Sequence, residues 1–171
     1  MRKLIFLLTL FCVFQFGHKT KDVECNTSAF WSYTTKDSIA LYDSPGGNII
    51  RYLKNNPANE DDFVAFYIHR KRGNALEVTA YTFDTKNSGW IYLNDSICVF
   101  SRAYQGNLKL YKEPTEDSGI SCVIEEYDPD MYSVIDCYKD WLKVKRILHG
   151  KVYIGWMPPE MQCPNVYSTC S

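Results

Sequence analysis

The same series of short motifs occurs twice along this chain, and this repetition limits the possible fold more than any other feature of the sequence. Leu41-Tyr42 and Leu110-Tyr111 each lie three residues ahead of a proline. Apolar runs of strand length follow in both cases, and each segment closes on a Gly-Trp pair. Leu-Tyr recurs after 69 residues and Gly-Trp after 66 residues. The chain therefore contains two repeats of similar length.

The segments between these motifs are typical of β-strands. They are short, they are separated by Gly, Pro, Asn and Asp, and no helical period is sustained beyond residue 17. The runs 48–53 and 63–68 in the first repeat correspond to 120–124 and 132–137 in the second. About five short strands per repeat suit a small barrel, because closure of the sheet removes exposed edges. We therefore predict an all-β protein.

The first 17 residues predict a secretory signal peptide. A short basic start precedes an apolar run at 4–16, and Gly17 is a small residue before a polar segment. The run is too short to cross a bilayer, so we expect no transmembrane segment in the mature chain. A lipoprotein anchor at Cys12 is the alternative, although Phe11 stands where a small residue is needed. The protein is expected in the periplasm or outside the cell.

Cysteine number also indicates export. Removal of the signal leaves six cysteines, an even count that is typical of disulfides in an exported chain. The six are Cys25, Cys98, Cys122, Cys137, Cys163 and Cys170. A zinc site is the rival interpretation, but no CxxC pair is present and the histidines are scattered. We expect neither a metal nor any other cofactor.

Local spacing favours one of the fifteen pairings that six cysteines allow. The favoured pairs are Cys122–Cys137, Cys163–Cys170 and Cys25–Cys98. The first pair flanks an Asp-Pro-Asp turn and would face across a hairpin. The second pair closes a short C-terminal loop, and the third is left by elimination.

Charge and histidine placement argue against two classes of function. Without the signal the chain has 17 basic and 20 acidic residues and no basic stripe, so we do not expect nucleic-acid binding. His18 lies near the predicted cleavage site, His69 and His149 lie in predicted solvated turns, and cysteines in disulfides cannot act as nucleophiles. We therefore expect a protein that is not an enzyme. The basic tip at 69–74 is interpreted as a solvated turn, with an anion contact as the alternative.

The order of these motifs resembles the bacterial SH3-like domain, often called SH3b. The resemblance rests on Leu-Tyr-x-x-Pro, on Trp-Leu-Lys-Val at 141–144 and on the closing Gly-Trp. The tail at 155–170 is similar to that of exported SH3-like proteins of Bacteroidetes. The resemblance implies two small barrels in tandem, stapled by disulfides. The first repeat departs from the pattern, with Ala75 where the second has Trp141.

The repeat and the resemblance together divide the chain into four parts. These are a signal peptide at 1–17, a lead-in segment at 18–36, a first SH3-like repeat at 37–100, and a second at 101–171 that includes a disulfide-closed tail. No long flexible run separates the repeats, so we expect closely apposed barrels.

Five aromatic residues are the candidates for ligand binding: Tyr42, Trp90, Tyr111, Trp141 and Trp156. They stand at matched positions or at strand ends, and tyrosine and tryptophan offer large rigid faces with a polar tip. The resemblance places the tyrosine of each Leu-Tyr pair beside a ligand groove. Packing within the barrel is the competing interpretation for Trp90 and Trp156.

Two hypotheses for function follow. The first is a non-catalytic binding or scaffolding protein of the cell envelope, which recognises peptidoglycan peptide or an envelope protein. The alternative is an exported inhibitor or immunity-type protein that blocks a partner enzyme. Both need only an exposed binding face, so strand patterning does not choose between them or define an oligomeric state.

Overall fold

The structure, a computed structural model, describes residues 21–56, 58–59, 62–165 and 170. The predicted signal peptide lies outside the described residues. Thirteen β-strands account for most of the described chain, and its helical parts are the single 3-10 turns Glu116–Ser118 and Pro159–Met161. The prediction of an all-β protein is therefore confirmed. The strands are β1 Val23–Trp31, β2 Ile39–Tyr42, β3 Ile49–Leu53, β4 Ala65–Arg72, β5 Ala75–Tyr81, β6 Lys86–Tyr92, β7 Ile97–Ser101, β8 Leu108–Tyr111, β9 Ile120–Ile124, β10 Tyr132–Tyr138, β11 Trp141–Leu148, β12 Lys151–Met157 and β13 Gln162–Cys163.

Twelve of these strands form one antiparallel path in the order β3-β2-β6-β5-β4-β1-β7-β10-β11-β12-β8-β9, and β13 adds to β7. Outward from β1 the order is β1-β4-β5-β6-β2-β3, and outward from β7 it is β7-β10-β11-β12-β8-β9. The two orders are the same, because each strand of the second corresponds to the strand six places earlier in the chain. We call β1–β6 the first unit and β7–β12 the second unit. The path ends at β3 and β9, so the described sheet does not close on itself.

Matching irregularities support the equivalence of the two units. The β2–β3 ladder shifts register between Leu41 and Tyr42, and the β8–β9 ladder shifts between Leu110 and Tyr111. A second shift occurs at the same place in β4–β5 and in β10–β11. Such bulges bend a strand and increase its twist. The strands of the two units therefore bend at equivalent points.

The hydrophobic core runs through both units. Inward-facing positions of the strands are buried, and strand alternation gives each unit an apolar inner face. Phe30 lies at the junction, where its ring stacks on Phe100 at 5.0 Å and meets Phe63 edge-on at 6.5 Å. Phe30 is fully buried, and burial of such a side chain contributes roughly 1.5–3 kcal/mol to folding.

Strand β1 joins the units through pairing on both of its sides. It pairs with β4 along most of its length and with β7 at Phe30 and Trp31. This strand lies in the segment 18–36, which was outside both sequence repeats. The amide of Asn26 donates to the Lys139 carbonyl at 2.6 Å, and the Lys139 amide donates to Glu24 at 2.7 Å. Backbone hydrogen bonds therefore hold β1 against the second unit as well as the first.

Side chains strengthen the same junction. Thr27 donates a buried hydrogen bond of 2.7 Å to the Gln162 side chain. The Gln162 amide in turn donates to the carbonyls of Asp140 at 2.8 Å and Met157 at 3.1 Å. Because buried polar groups cost free energy unless they are satisfied, this network fixes the tail against β1.

Two of the three predicted cysteine pairs are wrong. Cys25 bonds Cys137, and neither Cys122–Cys137 nor Cys25–Cys98 forms. The proposed hairpin does not exist, because β9 pairs with β8 whereas β10 pairs with β7 and β11. In β1, Cys25 lies beside Lys139, which directly follows β10. The residue of β1 that pairs with Cys98 is Phe30, five residues later. The third pair, Cys163–Cys170, is confirmed.

Cys98 and Cys122 are left as free thiols with different exposure. Burial raises the pKa of the Cys98 thiol to about 12, and it also raises the pKa of the partly exposed Cys122 thiol. At pH 8, iodoacetamide is therefore expected to modify native Cys122 and to leave Cys98 unmodified until the protein unfolds. Peptide mass spectrometry of residues 18–171 measures this. Modification of Cys25 or Cys137 in the native, unreduced protein would contradict the assigned disulfide.

Candidate binding surface

The Gly-Trp pair of each unit marks a close crossing of two strands. A Cβ on Gly89 would lie 2.6 Å from the Tyr42 carbonyl oxygen and 2.9 Å from the Leu41 side chain. In the second unit, a Cβ on Gly155 would lie 2.7 Å from the Cβ of Leu110. Glycine is needed at both positions because only a residue without a side chain permits this approach.

The crossing sets each tyrosine opposite a tryptophan. Tyr42 of β2 pairs in register with Trp90 of β6, and Tyr111 of β8 pairs with Trp156 of β12. Both tryptophans are only 6% exposed. Cationic side chains lie over their rings, namely Arg72 at 5.3 Å from the Trp90 centroid and Lys143 at 5.8 Å from that of Trp156. Trp90 and Trp156 therefore support the surface rather than form its exposed part.

In the first unit, the partly exposed Tyr42 meets a second aromatic ring. Its ring centroid lies 5.2 Å from that of Tyr92, with an angle of 77° between the planes. Edge-to-face pairs are a favoured geometry for aromatic rings, and both tyrosines of this pair are partly exposed. The Tyr92 hydroxyl accepts a 2.7 Å hydrogen bond from the amide of Gly46. We call Tyr42 and Tyr92 the first corner.

The second unit has a corresponding pair. The Tyr111 ring lies 5.6 Å from Trp141, with an interplanar angle of 88°. Both side chains are partly exposed. We call Tyr111 and Trp141 the second corner. Of the five predicted aromatic candidates, the structure brings Tyr111 and Trp141 into contact, and it places Tyr42 in a separate corner.

The second ring of each corner comes from a different strand. In the first unit, Ala75 occupies the start of β5, where the second unit has Trp141 at the start of β11. Ala75 is buried opposite Tyr92 in the β5–β6 ladder. Tyr92 therefore supplies the aromatic ring that the first repeat lacks at Ala75. Tyr92 was not among the predicted candidates, although its position two residues after Trp90 is a signal that could have revealed it.

The two corners differ in electrostatics. Burial, followed by the charges of Glu116 and Glu160, raises the pKa of the Tyr111 hydroxyl above its ordinary value. Near the first corner, hydrogen bonds from Ser44 and Asn48 lower the pKa of Asp43. The Asp43 carboxylate is therefore occupied within its own turn, whereas the second corner lies in the field of two carboxylates.

The basic tip at 69–74 has internal partners for its cationic groups. Arg72 forms two hydrogen bonds with Asp22, at 2.6 and 2.9 Å, and these hold the pKa of Asp22 below its ordinary value. Arg70 pairs with Glu77 and Asp22, and Lys71 pairs with Asp136 of the second unit. These carboxylates offset the charge of the tip, so its cations serve mainly to fix β4 against its neighbours.

His69 and His149 lie apart from the corners. His69 is in β4, where its Nε2 is 2.8 Å from the Thr79 hydroxyl oxygen and its ring meets Tyr67 at 4.9 Å. His149 occupies the tight β11–β12 turn with a positive φ of 50°. Among the described residues, no group of three or more His, Cys, Asp or Glu side chains is arranged to hold a metal ion.

Comparison with protein-family models and with curated proteins finds no match for the chain. Within the described parts of the chain, no helix has the length and apolar character required to span a membrane.

Proposed function

We propose that this chain is a non-catalytic binding protein of the cell envelope, with two SH3-like barrels in tandem. The observation that carries the proposal is the duplicated corner, in which a partly exposed tyrosine meets a second ring edge-on and pairs in register with a buried tryptophan on the neighbouring strand. A duplicated, partly exposed aromatic pair is a ready contact for an extended ligand. The proposed ligand is peptidoglycan peptide or an exposed segment of an envelope protein.

The corners are suited to binding because they are fixed before a ligand arrives. The Gly-Trp crossing holds each tyrosine, and the second ring of the corner restricts its rotation. Tyrosine and tryptophan lose little side-chain entropy when they bind, and preorganisation reduces that loss further. Simultaneous contact of both corners with one polymer would raise the apparent affinity.

Export is part of the proposal. The two disulfides are consistent with an exported protein. The predicted signal at 1–17 supports the same location. The mature protein would then meet wall peptide directly.

Co-sedimentation of residues 18–171 with purified sacculi tests the proposal. Saturable pelleting is expected, and Tyr42→Ala and Tyr111→Ala are each expected to weaken it about tenfold, as loss of a central aromatic contact does. Tyr81→Ala is the matched control, because Tyr81 is exposed at the end of β5 and belongs to neither corner.

Circular dichroism would establish that each variant is folded. The proposed function would be refuted if well-folded protein neither pelleted with sacculi nor captured a partner from envelope extract. Capture of one stoichiometric enzyme without sacculus binding would instead favour the inhibitor hypothesis.

A further inference from the structure

The sheet ends in two edge strands, β3 in the first unit and β9 in the second. In the described chain, β3 pairs only with β2, and β9 pairs only with β8. Neither strand has a backbone hydrogen bond to another described segment outside those two ladders. Each strand therefore presents a row of backbone donors and acceptors to which a further strand can add.

Strand β3 exposes apolar side chains along this edge. Ile49, Ile50 and Tyr52 are 44%, 56% and 63% exposed. The charged residue of the strand is Arg51, which is also exposed. Edge strands of natural proteins are normally kept short, charged or covered, because an exposed apolar edge pairs with other strands. Strand β3 therefore has the composition of a strand that pairs with a partner.

Strand β9 is an apolar edge between acidic ends. Ile120 at its start is 43% exposed. Exposed acidic pairs stand on both sides of the strand, at 116–117 before it and at 125–126 after it. The Ser121 hydroxyl donates a 2.8 Å hydrogen bond to the Ile154 carbonyl, which holds β9 against β12. The second edge is therefore fixed in place and negatively charged at both ends.

The charges of the two edges are complementary. Arg51 lies in β3, and Lys54 directly follows the strand; both are exposed. Among the described residues, neither these two cations nor the four acidic residues beside β9 form an ion pair. Because an acidic pair stands at each end of β9, Lys54 would meet one of them whether the two strands ran parallel or antiparallel.

The same charges oppose pairing between like edges. Two copies of β3 aligned antiparallel about their centre would set Arg51 opposite Arg51 of the other copy, and like charges directly opposite each other destabilise a sheet. Two copies of β9 would bring the acidic pair before one strand close to the acidic pair after the other. The charges therefore favour pairing of β3 with β9 over either like pair.

We propose that β3 of one copy of this chain pairs with β9 of the next copy, so that the chain assembles head to tail. Such a contact uses a different surface on each copy, so a dimer still has a free β3 and a free β9. Assemblies larger than a dimer are therefore expected. This assembly does not depend on what the aromatic corners bind.

Sedimentation velocity of residues 18–171 at rising protein concentration tests the proposal. Species larger than a dimer are expected at low ionic strength, and added salt is expected to reduce them because it screens exposed charges. Tyr52→Lys is expected to weaken association about tenfold, since it puts a charge on the apolar edge. Phe83→Lys is the matched control, because Phe83 is 74% exposed and lies outside both edge strands. It is expected to leave association unchanged.

Reversal of charge distinguishes pairing of unlike edges from pairing of like edges. Lys54→Glu is expected to weaken association about threefold, in the range of an exposed ion pair. One of two double variants beside β9, Glu116→Lys/Asp117→Lys or Glu125→Lys/Glu126→Lys, is expected to weaken it as well, according to the direction of the strands. A mixture of that variant with Lys54→Glu is expected to associate as strongly as the unchanged protein, because opposite charges meet again at every contact. Such recovery would also show that both variants are folded.

Three results of these measurements would overturn the proposal. They are protein that stays monomeric at every concentration, growth that stops at a dimer, and association that Tyr52→Lys leaves unchanged. Cys122→Ser removes the partly exposed free thiol of β9 and is expected to preserve assembly. Loss of assembly in that variant would show a disulfide between copies in place of strand pairing. Binding of an acidic segment of another protein to β3, with this chain monomeric, would assign the edge to a different partner.

Discussion

Replacing both Cys25 and Cys137 with alanine is expected to lower the free energy of unfolding by about 5 kcal/mol. The two cysteines are 112 residues apart in sequence, so their disulfide closes a loop that includes most of both units. A cross-link over so long a loop removes much of the entropy of the unfolded chain. Both side chains are fully buried, so the loss of packing adds to the effect. Urea denaturation of residues 18–171 measures it.

The second disulfide is the matched control for this prediction. Cys163 and Cys170 are only 7 residues apart, so replacement of both with alanine is expected to cost about 2.5 kcal/mol on the same chain-entropy argument. Equal losses for the two double variants would contradict the assignment of the long-range disulfide to Cys25 and Cys137.

Gly89→Ala and Gly155→Ala are each expected to lower the free energy of unfolding by about 3 kcal/mol. The added methyl group would lie 2.6 Å from the Tyr42 carbonyl oxygen in the first case and 2.7 Å from the Cβ of Leu110 in the second. A backbone oxygen and a Cβ cannot rotate away, so the crossing strand must move. The same movement displaces the tyrosine of that corner, and we expect sacculus binding to weaken with stability.

Gly73→Ala is the control for the effect of glycine replacement alone. Gly73 has a φ of +62°, and a Cβ there would have no heavy atom within 4 Å. Its replacement is expected to cost about 1 kcal/mol, from backbone strain without a steric clash. Losses at Gly89 and Gly155 no larger than at Gly73 would show that the strands do not cross as closely as described.

The strands of each unit could largely be predicted from the sequence, because their signals are local. The run 120–124 coincides with β9, and 48–53 contains β3. The matched Leu-Tyr and Gly-Trp pairs also lie in matching registers. Alternation of apolar residues and turn residues acts over a few positions, which a sequence displays directly.

The centre of the sheet could not be predicted in the same way. Strand β1 contains polar residues at Glu24, Asn26 and Thr27, and its pairing with both β4 and β7 depends on the arrangement of the whole chain. Cysteine pairing follows from that arrangement. Cys122 and Cys137 are close in sequence, but their strands lie apart in the sheet, and spacing does not contain that information.

The candidate site was predicted in part for a similar reason. Tyr42, Tyr111 and Trp141 could be selected because each belongs to a repeated or recognised motif. Tyr92, by contrast, belongs to the site through its contact with Tyr42. This contact joins strands β2 and β6, which the sequence pattern treats as separate.

Hydroxyl-radical footprinting, with and without saturating sacculi, tests most directly the claim that the two corners are the binding face. Ligand is expected to protect Tyr42 and Tyr92 in the first corner and Tyr111 and Trp141 in the second. Phe83 is 74% exposed and precedes β6, at the opposite end of that strand from Trp90, so its oxidation is expected to stay unchanged. Protection of Phe83 with continued oxidation of all four corner residues would contradict the account.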